Sequence, residues 1–201
     1  MSGAAAVFVD RDGVINELVP DPLSGLPESP LRPDELRLVQ GASAALRRLA
    51  SAGLRLVGVS NQPAAAKGVV SLGELQAVQA RVLELLATDG VRFDSFKLCF
   101  HHPQGVVPEL RGECKCRKPA PGMLLEAARE LDLDPADCWM VGDTDGDVAA
   151  GRAAGCHTVL VEYPGSAHKR AGSPDPDTIV GTLAAAATVI LAGREKNESD
   201  D

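Results

Sequence analysis

Aromatic residues and long apolar runs are scarce in this sequence, and each shortage excludes a class of protein. Aromatic residues make up only 3% of the 201 residues, so alanine, valine and leucine must fill the core. No stretch approaches the roughly 20 consecutive apolar residues that span a bilayer, which argues against a membrane protein. The first residues turn acidic without a basic segment, so we expect no signal peptide and a cytoplasmic protein.

Basic residues are also in short supply. Lysine and arginine number 20 against 28 aspartates and glutamates, which gives a formal net charge of −8. This excess of negative charge is unsuited to polyanions, so we expect neither nucleic acid nor a membrane as a partner. A small phosphorylated substrate remains compatible, because a metal ion and a few local cations can offset its charge. No apolar stripe requires a protein partner, so we expect a monomer.

Short apolar runs alternate with segments of helical spacing along the chain. The runs predict strands at 7–9, 54–62, 95–100, 138–143 and 158–161. The helical spacing predicts helices at 41–53, 71–88, 121–131, 147–154 and 178–191. This alternation predicts an α/β fold, a doubly wound, Rossmann-like parallel sheet with helices on both faces. We expect a single domain over 1–193 and a disordered, charged tail over 194–201.

Polar residues follow three of the predicted strands, at the edge of an α/β sheet where ligands bind. They are Asp10 and Asp12, then Ser60, Asn61 and Gln62, then Asp143, Asp145 and Asp147. An isolated pair of aspartates after a strand is often only a solvated turn. Here the carboxylates of Asp10, Asp12 and Asp143 would repel one another unless a cation compensated them, and Mg²⁺ prefers oxygen ligands. We therefore predict a Mg²⁺ site at this edge.

Two aspartates one residue apart can divide the chemistry of phosphoryl transfer between them. A carboxylate held by Mg²⁺ stays ionised and can attack phosphorus as a nucleophile. The other can protonate the leaving oxygen and later activate water. Ser60 can donate a hydrogen bond to a phosphoryl oxygen, and Lys118 can neutralise its growing charge.

Cysteines number only five, yet most of them fall into closely spaced pairs with potential metal ligands. The predicted ligands are Cys99, His101, Cys114 and Cys116. Two pairs on one loop, about 99–118, can fill all four positions of a tetrahedral Zn²⁺, which is typical of a structural site. Free thiols beside a surface histidine are the alternative. His102 is a neighbouring candidate, but it should point the other way at the strand's end. Cys138 and Cys156 lie in apolar contexts and should be inert core residues.

Four motifs, in their order and spacing, resemble the haloacid dehalogenase (HAD) superfamily of phosphohydrolases. They are DRDGVIN, SNQ, CRKPAPGM and VGDTDGD. The stretch CFHHPQG and the later CKCRKPAPGMLLEA are similar to the zinc-containing histidinol-phosphate and D,D-heptose 1,7-bisphosphate phosphatases. HHPQG and the long spacing between the two cysteine pairs favour the heptose branch. The resemblance covers about residues 7 to 161.

The resemblance implies a role for each matching residue. Asp10 would form an aspartyl-phosphate, and Asp12 would be the general acid and base, with its backbone carbonyl also reaching Mg²⁺. Asp143 would complete the Mg²⁺ site, and Asp147 would support the site without binding the ion directly. The phosphate and substrate contacts would come from Ser60, Asn61, Gln62, Arg117 and Lys118.

The resemblance also implies that no large cap domain is present, so that the zinc loop and the segment after Asn16 border the active site. Three departures lie near the substrate: Pro63 replaces a small polar residue, Thr144 replaces a frequent lysine, and the proline-rich segment 18–35 is longer than usual. The expected activity is removal of the 7-phosphate of heptose 1,7-bisphosphate. Histidinol-phosphate phosphatase is the alternative, and a catalytically silent binding protein of the same fold is a third possibility. The complete catalytic set argues against the last.

Overall fold

A parallel sheet of six strands forms the centre of the computed structural model, which describes residues 5–21 and 24–199. The chain has eight strands in its described ranges, of which β1 and β4 to β8 form this sheet. They are β1 (Ala6–Val9), β2 (Val19–Pro20), β3 (Pro27–Glu28), β4 (Arg55–Asn61), β5 (Ser95–Cys99), β6 (Trp139–Gly142), β7 (His157–Val161) and β8 (Thr178–Val180). The helices are α1 (Ala42–Ser51), α2 (Leu72–Thr88), α3 (Gly122–Glu130), α4 (Asp145–Ala154) and α5 (Leu183–Ser199). Strands β2 and β3 form a separate antiparallel hairpin within the segment 18–35.

The sheet has the strand order β5-β4-β1-β6-β7-β8, and neighbouring strands are parallel. Side chains alternate between the two faces of a strand. In β1, Val7 and Val9 enter a core with α1, α2 and α5, whereas Ala6 and Phe8 enter a second core with α3 and α4. The predicted doubly wound sheet with helices on both faces is therefore confirmed.

The last predicted helix, 178–191, was placed too early. Residues 178–180 form β8 and pair with β7, because a run containing the β-branched residues threonine, isoleucine and valine favours a strand at the sheet edge. The helix begins only at Leu183, where the hydroxyl of Thr182 accepts a hydrogen bond from the backbone N–H of Ala185 at 3.1 Å. A polar N-cap of this kind fixes a helix start.

Helix α5 also continues beyond its predicted end. It reaches Ser199, so the backbone of 194–199 is helical where the sequence predicts disorder. The guanidinium of Arg194 donates to the carbonyl of Ala52 at 2.9 Å, which ties this end of the helix to the residue after α1. Residues 200–201 lie outside the described part of the chain. Among the described residues, no helix combines the length and the apolar composition that a membrane span requires.

The topology places the predicted functional residues at one edge of the sheet. Strand β1 lies between β4 and β6, so the residues that follow or end these three strands are neighbours. They include Asp10, Ser60 and Asp143. The segment 18–35 and the zinc loop 99–118 both border this edge, and each contributes residues to the cavity there.

Candidate active site

Three buried carboxylates meet where β1 and β6 end. Oxygen atoms of Asp10, Asp143 and Asp147 all lie within 4.8 Å of one another. Burial raises the pKa of Asp143 well above its ordinary value, and the neighbouring Asp10 and Asp147 raise it further. One oxygen of Asp143, Oδ1, is buried without a hydrogen-bond partner among the described residues. An oxygen-rich site of this kind, with a buried and unpaired ligand atom, fits Mg²⁺.

Lys118 is the cation that faces these carboxylates from within the protein. Its Nζ donates to Asp10 Oδ1 at 2.7 Å and to the carbonyl of Val59 at 2.8 Å, and it lies 2.5 Å from Asp147 Oδ1. Burial opposes the charge, but Asp10 and Asp147 raise the pKa of Lys118 above its ordinary value. The side chain of Asn61 donates to the carbonyl of Lys118 at 3.0 Å and accepts from its N–H at 3.1 Å. Asn61 therefore fixes the lysine backbone, while its phosphate-binding role stays a prediction.

Burial raises the pKa of Asp10 from 3.8 to about 6, an increase that Lys118 opposes and that Asp147 and Asp12 reinforce. Asp147 is held by an ion pair at one oxygen and by hydrogen bonds at the other. Oδ1 faces Lys118, and Oδ2 accepts from the N–H and the hydroxyl of Thr144 at 3.1 and 2.5 Å. This arrangement suits the predicted supporting position of Asp147 behind a metal ion.

Asp12 occupies a polar cage rather than the carboxylate cluster. Two nitrogens of Arg11 donate to its two oxygens at 3.1 Å each, Asn16 donates at 2.9 Å and Gln62 at 2.6 Å. Burial acts to raise the pKa of Asp12, but Arg11 and these hydrogen bonds outweigh it and lower the pKa. Gln62 also donates to the hydroxyl of Ser60 at 2.9 Å. The resting Asp12 is therefore ionised and oriented.

Gly13 makes room for this cluster. Its φ of +87° lies in the left-handed region, and a Cβ built there would be 2.0 Å from Asp143 Oδ2. Any side chain at residue 13 would therefore displace the carboxylate that has the unpaired oxygen. The glycine of the DRDG motif is required by the geometry of Asp143 as well as by its own backbone.

The predicted zinc ligands form a compact group. Ligand atoms of Cys99, His101, Cys114 and Cys116 lie within 4.8 Å of one another. Four of the sulfur–sulfur and sulfur–nitrogen distances are 3.1, 3.2, 3.5 and 3.6 Å, and Cys99 Sγ lies 3.9 Å from His101 Nδ1. A zinc tetrahedron with Zn–S bonds of about 2.3 Å has edges of about 3.8 Å. Most of the observed distances are shorter than this edge, so the four atoms are already gathered around one point, and three sulfurs with one imidazole nitrogen are a donor set that fits Zn²⁺.

The other candidates for the zinc site lie apart from it, as predicted. His102 Nδ1 accepts a hydrogen bond from the N–H of Gln104 at 3.2 Å instead of joining the cluster. Cys138 and Cys156 are buried in the second core, and burial raises their thiol pKa values to about 11 and about 12. Thiols with such values are poor nucleophiles at neutral pH.

A cavity of about 330 Å³ joins the predicted residues into one site. Among the residues lining it are Asp10, Asp12, Ser60, Asn61, Arg117, Lys118 and Asp143. Gln62 lines a neighbouring cavity of about 1190 Å³ instead. Both cavities are lined by Glu28, Ser29, Pro63 and Lys67, so the larger one adjoins the site.

Sequence reasoning missed four charged residues at this site. They are Arg11, Glu28, Lys67 and Lys169. Arg11 belongs to the DRDG motif itself and Lys67 follows the SNQ motif by five residues, and that proximity was the one available signal. Lys169 pairs with Glu28 at 2.7 Å across 141 residues of chain, a contact that no local pattern indicates.

Comparisons with known proteins agree with this geometry. The HAD-hydrolase-like family matches residues 115–186. A D-glycero-β-D-manno-heptose-1,7-bisphosphate 7-phosphatase of Rhodopseudomonas palustris is 37% identical over 150 residues, or 75% of this chain and 79% of that protein. The protein of the same name from Yersinia pestis is 34% identical over 186 residues, or 89% of this chain and 91% of that protein.

Solved structures show the same likeness. The D,D-heptose 1,7-bisphosphate phosphatase from B. bronchiseptica, crystallised with magnesium and phosphate, is 31% identical with a TM-score of 0.76. The match covers 94% of this chain and 99% of that one. The D,D-heptose 1,7-bisphosphate phosphatase from Burkholderia thailandensis is 28% identical with a TM-score of 0.63, and the match covers 94% and 98% of the two chains.

Proposed function

This chain belongs to the D-glycero-β-D-manno-heptose-1,7-bisphosphate 7-phosphatase family of HAD phosphatases, and on that premise we propose that it removes the 7-phosphate of D-glycero-β-D-manno-heptose 1,7-bisphosphate. The observation that carries the proposal is the convergence of Asp10, Asp12, Lys118 and Asp143 on one cavity. The relatives bearing this name match the chain over most of its length, which supports the choice of substrate.

Asp10 is the nucleophile in this proposal. Lys118 holds Oδ1 at 2.7 Å, which fixes the carboxylate and leaves its other oxygen for attack on phosphorus. The bond from that oxygen to phosphorus forms while the bond from phosphorus to the sugar oxygen breaks, giving an aspartyl-phosphate. The positive charge of Lys118 also offsets the charge on the phosphoryl oxygens as the transition state forms.

Asp12 moves the protons of both half-reactions. It protonates the departing sugar oxygen first, and it then takes a proton from the water that hydrolyses the aspartyl-phosphate. At rest Arg11, Asn16 and Gln62 keep it ionised, so it must gain a proton when the substrate binds. The negative charge of the arriving phosphate favours that uptake, because a nearby like charge raises a carboxyl pKa.

The metal sites serve separate purposes. Asp10, Asp143 and the backbone carbonyl of Asp12 would hold Mg²⁺, which when bound supplies positive charge to the phosphoryl oxygens and keeps the carboxylates ionised. The group formed by Cys99, His101, Cys114 and Cys116 would hold Zn²⁺ with no ligand position left for water, a structural role. The zinc loop ends at Lys118, so the four ligands, once joined by a metal, would fix the backbone that carries the lysine.

Side-by-side kinetics test the proposed substrate. The ratio kcat/KM should be much larger for the heptose bisphosphate than for histidinol phosphate, and ³¹P NMR should show loss of the 7-phosphate signal alone. Asp10→Asn, purified identically, controls for contaminating phosphatases and should release no phosphate. Faster turnover of histidinol phosphate would favour the alternative substrate, and loss of the 1-phosphate signal would contradict the proposed position.

A further inference from the structure

A fully buried arginine stands between the two aspartates of the DRDG motif. Arg11 has no solvent exposure, and among the described residues Asp12 is the one carboxylate with which it forms an ion pair. Arginine is rarely buried to this extent, because the guanidinium loses its hydration. Stability alone does not account for such a pair, since apolar side chains of the same volume often stabilise a core equally well.

The guanidinium of Arg11 holds the carboxylate of Asp12 in one plane. Its Nε donates to Oδ1 and its Nη2 donates to Oδ2, each at 3.1 Å. Two parallel hydrogen bonds of this kind fix the rotation of a carboxylate as well as its position. A single donor would leave the carboxylate free to turn.

Two further donors complete the surroundings of Asp12. Asn16 donates to Oδ1 at 2.9 Å, and Gln62 donates to Oδ2 at 2.6 Å. A carboxylate has about four lone-pair sites, so these donors and the two nitrogens of Arg11 fill them all. Gln62 also donates to Ser60, which lines the reacting cavity, whereas Arg11 and Asn16 have no solvent exposure.

Arg11 is itself fixed from the interior of the protein. Its Nη1 donates to Oε1 of Gln79 at 3.3 Å, across 68 residues of chain. Gln79 lies on the buried face of α2, next to Val78, which packs in the first core. The guanidinium therefore connects a helix that covers the sheet to the aspartate at the edge of the sheet.

We propose that Arg11, anchored by Gln79, is a positioning residue that aims the carboxylate of Asp12 at the leaving oxygen of the substrate. This inference rests on the proposed function and adds two residues to its proton-transfer step. Arg11 and Asn16 hold Asp12 from the interior, so the lone pair of Oδ2 that now faces Gln62 is the one left for the transferred proton. Misplacing a catalytic group by about 1 Å can cost about 100-fold in rate.

The first test is Arg11→Lys, which keeps the positive charge but removes the paired contact. The constant to compare is kcat/KM, because it covers the steps up to departure of the leaving group and excludes attack of water on the aspartyl-phosphate. For the heptose bisphosphate it should fall about tenfold or more, since protonation of a sugar oxygen depends on the orientation of Asp12. For p-nitrophenyl phosphate, whose leaving group needs little protonation, it should change less than about twofold.

A double variant shows whether Arg11 acts through Asp12. In an Asp12→Asn background, adding Arg11→Lys should change kcat/KM for the sugar phosphate less than about twofold, because the acid that it orients is already gone. A loss as large as in the wild-type background would overturn the inference. So would equal losses on both substrates, or no loss, in Arg11→Lys alone.

Two variants on α2 complete the comparison. Gln79→Met removes only the acceptor for Arg11 and should lower the ratio of the two kcat/KM values in the same direction as Arg11→Lys, by a smaller factor. An unchanged ratio would overturn the inference, and this variant keeps the test valid if Arg11→Lys does not fold. Val78→Ala is the matched control, because Val78 is fully buried beside Gln79. It should lower Tm and leave the ratio unchanged.

Thermal unfolding tests the pairing without any substrate. Asp12→Asn leaves the buried charge of Arg11 without a counter-ion and should lower Tm by several degrees. The double variant Arg11→Met, Asp12→Asn should be more stable than Asp12→Asn alone, because the unpaired charge is gone. A double variant that is no more stable would contradict the inference, since Arg11 would then not depend on Asp12.

Failure of the proposed function is distinguishable from failure of this inference. If the wild type hydrolyses p-nitrophenyl phosphate but not the heptose bisphosphate, the proposed function is wrong. Histidinol phosphate, whose leaving group is also an alkoxide, then replaces the bisphosphate in the comparison. The thermal comparison decides for or against the pairing of Arg11 with Asp12 in either case.

Discussion

Replacing Asp10 with asparagine should abolish phosphatase activity and stabilise the metal-free fold. Asp10 is buried close to Asp147 and Asp12, and burial raises its pKa from 3.8 to about 6 despite the opposing effect of Lys118. Above pH 6 the folded protein therefore contains a carboxylate that is harder to ionise than in the unfolded chain. Asparagine keeps the shape, can still accept the hydrogen bond from Lys118, and removes the attacking charge.

The size of the stabilisation follows from the pKa. Each pH unit between 3.8 and about 6 corresponds to about 1.4 kcal/mol, so ionised Asp10 lowers the free energy of unfolding by about 3 kcal/mol. The unfolded chain loses its proton near pH 3.8 and the folded protein near pH 6. Stability of the wild type is therefore lost as the pH rises through this window. For a chain of this length, 3 kcal/mol corresponds to about 6–12 °C in Tm.

Thermal unfolding over a pH series measures the effect. Wild-type protein and Asp10→Asn are compared at pH 4 to 7.5 after brief dialysis against EDTA, with zinc content checked by elemental analysis. The two Tm values should be similar near pH 4 and should separate as the pH rises from 4 to about 6, with the variant higher, and the gap should stay constant above pH 6. Added Mg²⁺ should raise the wild-type Tm at pH 7.5 and narrow the gap. Asp137→Asn, at an exposed carboxylate, should show no such pH dependence.

Two outcomes would refute this reasoning. If Asp10→Asn were no more stable than the wild type at pH 7.5 without metal, ionised Asp10 would not destabilise the fold. If the variant still turned over substrate at a comparable rate, Asp10 could not be the nucleophile.

Three further changes test other parts of the site. Asp12→Asn should slow hydrolysis of a sugar phosphate more than that of p-nitrophenyl phosphate, whose leaving group needs little protonation, and equal losses in kcat would argue against the acid role. Cys114→Ser should lower zinc content, Tm and activity together, and active protein without zinc would contradict the structural role. Brief EDTA treatment should instead abolish activity while zinc stays bound, and Mg²⁺ alone should restore it. Gly13→Ala should raise the Mg²⁺ concentration needed for half-maximal activity, because the new Cβ would displace Asp143. Gly155→Ala is the control, since Gly155 has a similar φ of +88° but nothing within 4 Å of the added Cβ, and it should lower only Tm.

The carboxylate cluster could be predicted from sequence because its members occupy equivalent places in the chain. Asp10 and Asp143 directly follow apolar strands, and parallel strands that lie side by side end at one edge of the sheet. The grouping of Cys99, His101, Cys114 and Cys116 was predictable for a similar reason, since each pair is separated by one residue. In both cases local spacing limits where the side chains can be, and the fold needs only to bring two or three segments together.

The contacts that surround these residues depend on longer distances along the chain. Arg11 is fully buried, and its guanidinium reaches Gln79 of α2 at 3.3 Å, 68 residues away, as well as the neighbouring Asp12. A sequence pattern normally places arginine on the surface, so the side chain that keeps Asp12 ionised looks like an ordinary polar residue. The short strand β8 was missed because three residues are too few to show a period of two.

The loop that carries the cysteine cluster also contacts two other segments of the site. Lys118, which donates to the carboxylate of Asp10, follows Cys116 by two residues, and Arg117 stands between them. The same loop donates two backbone hydrogen bonds to Ala66, the residue before Lys67. The positions of all three cations therefore depend on one loop that the cysteine cluster holds closed. Loss of a metal bound by the cysteine cluster should accordingly weaken catalysis, although four protein ligands would leave that metal no open position at which to take part in the chemistry.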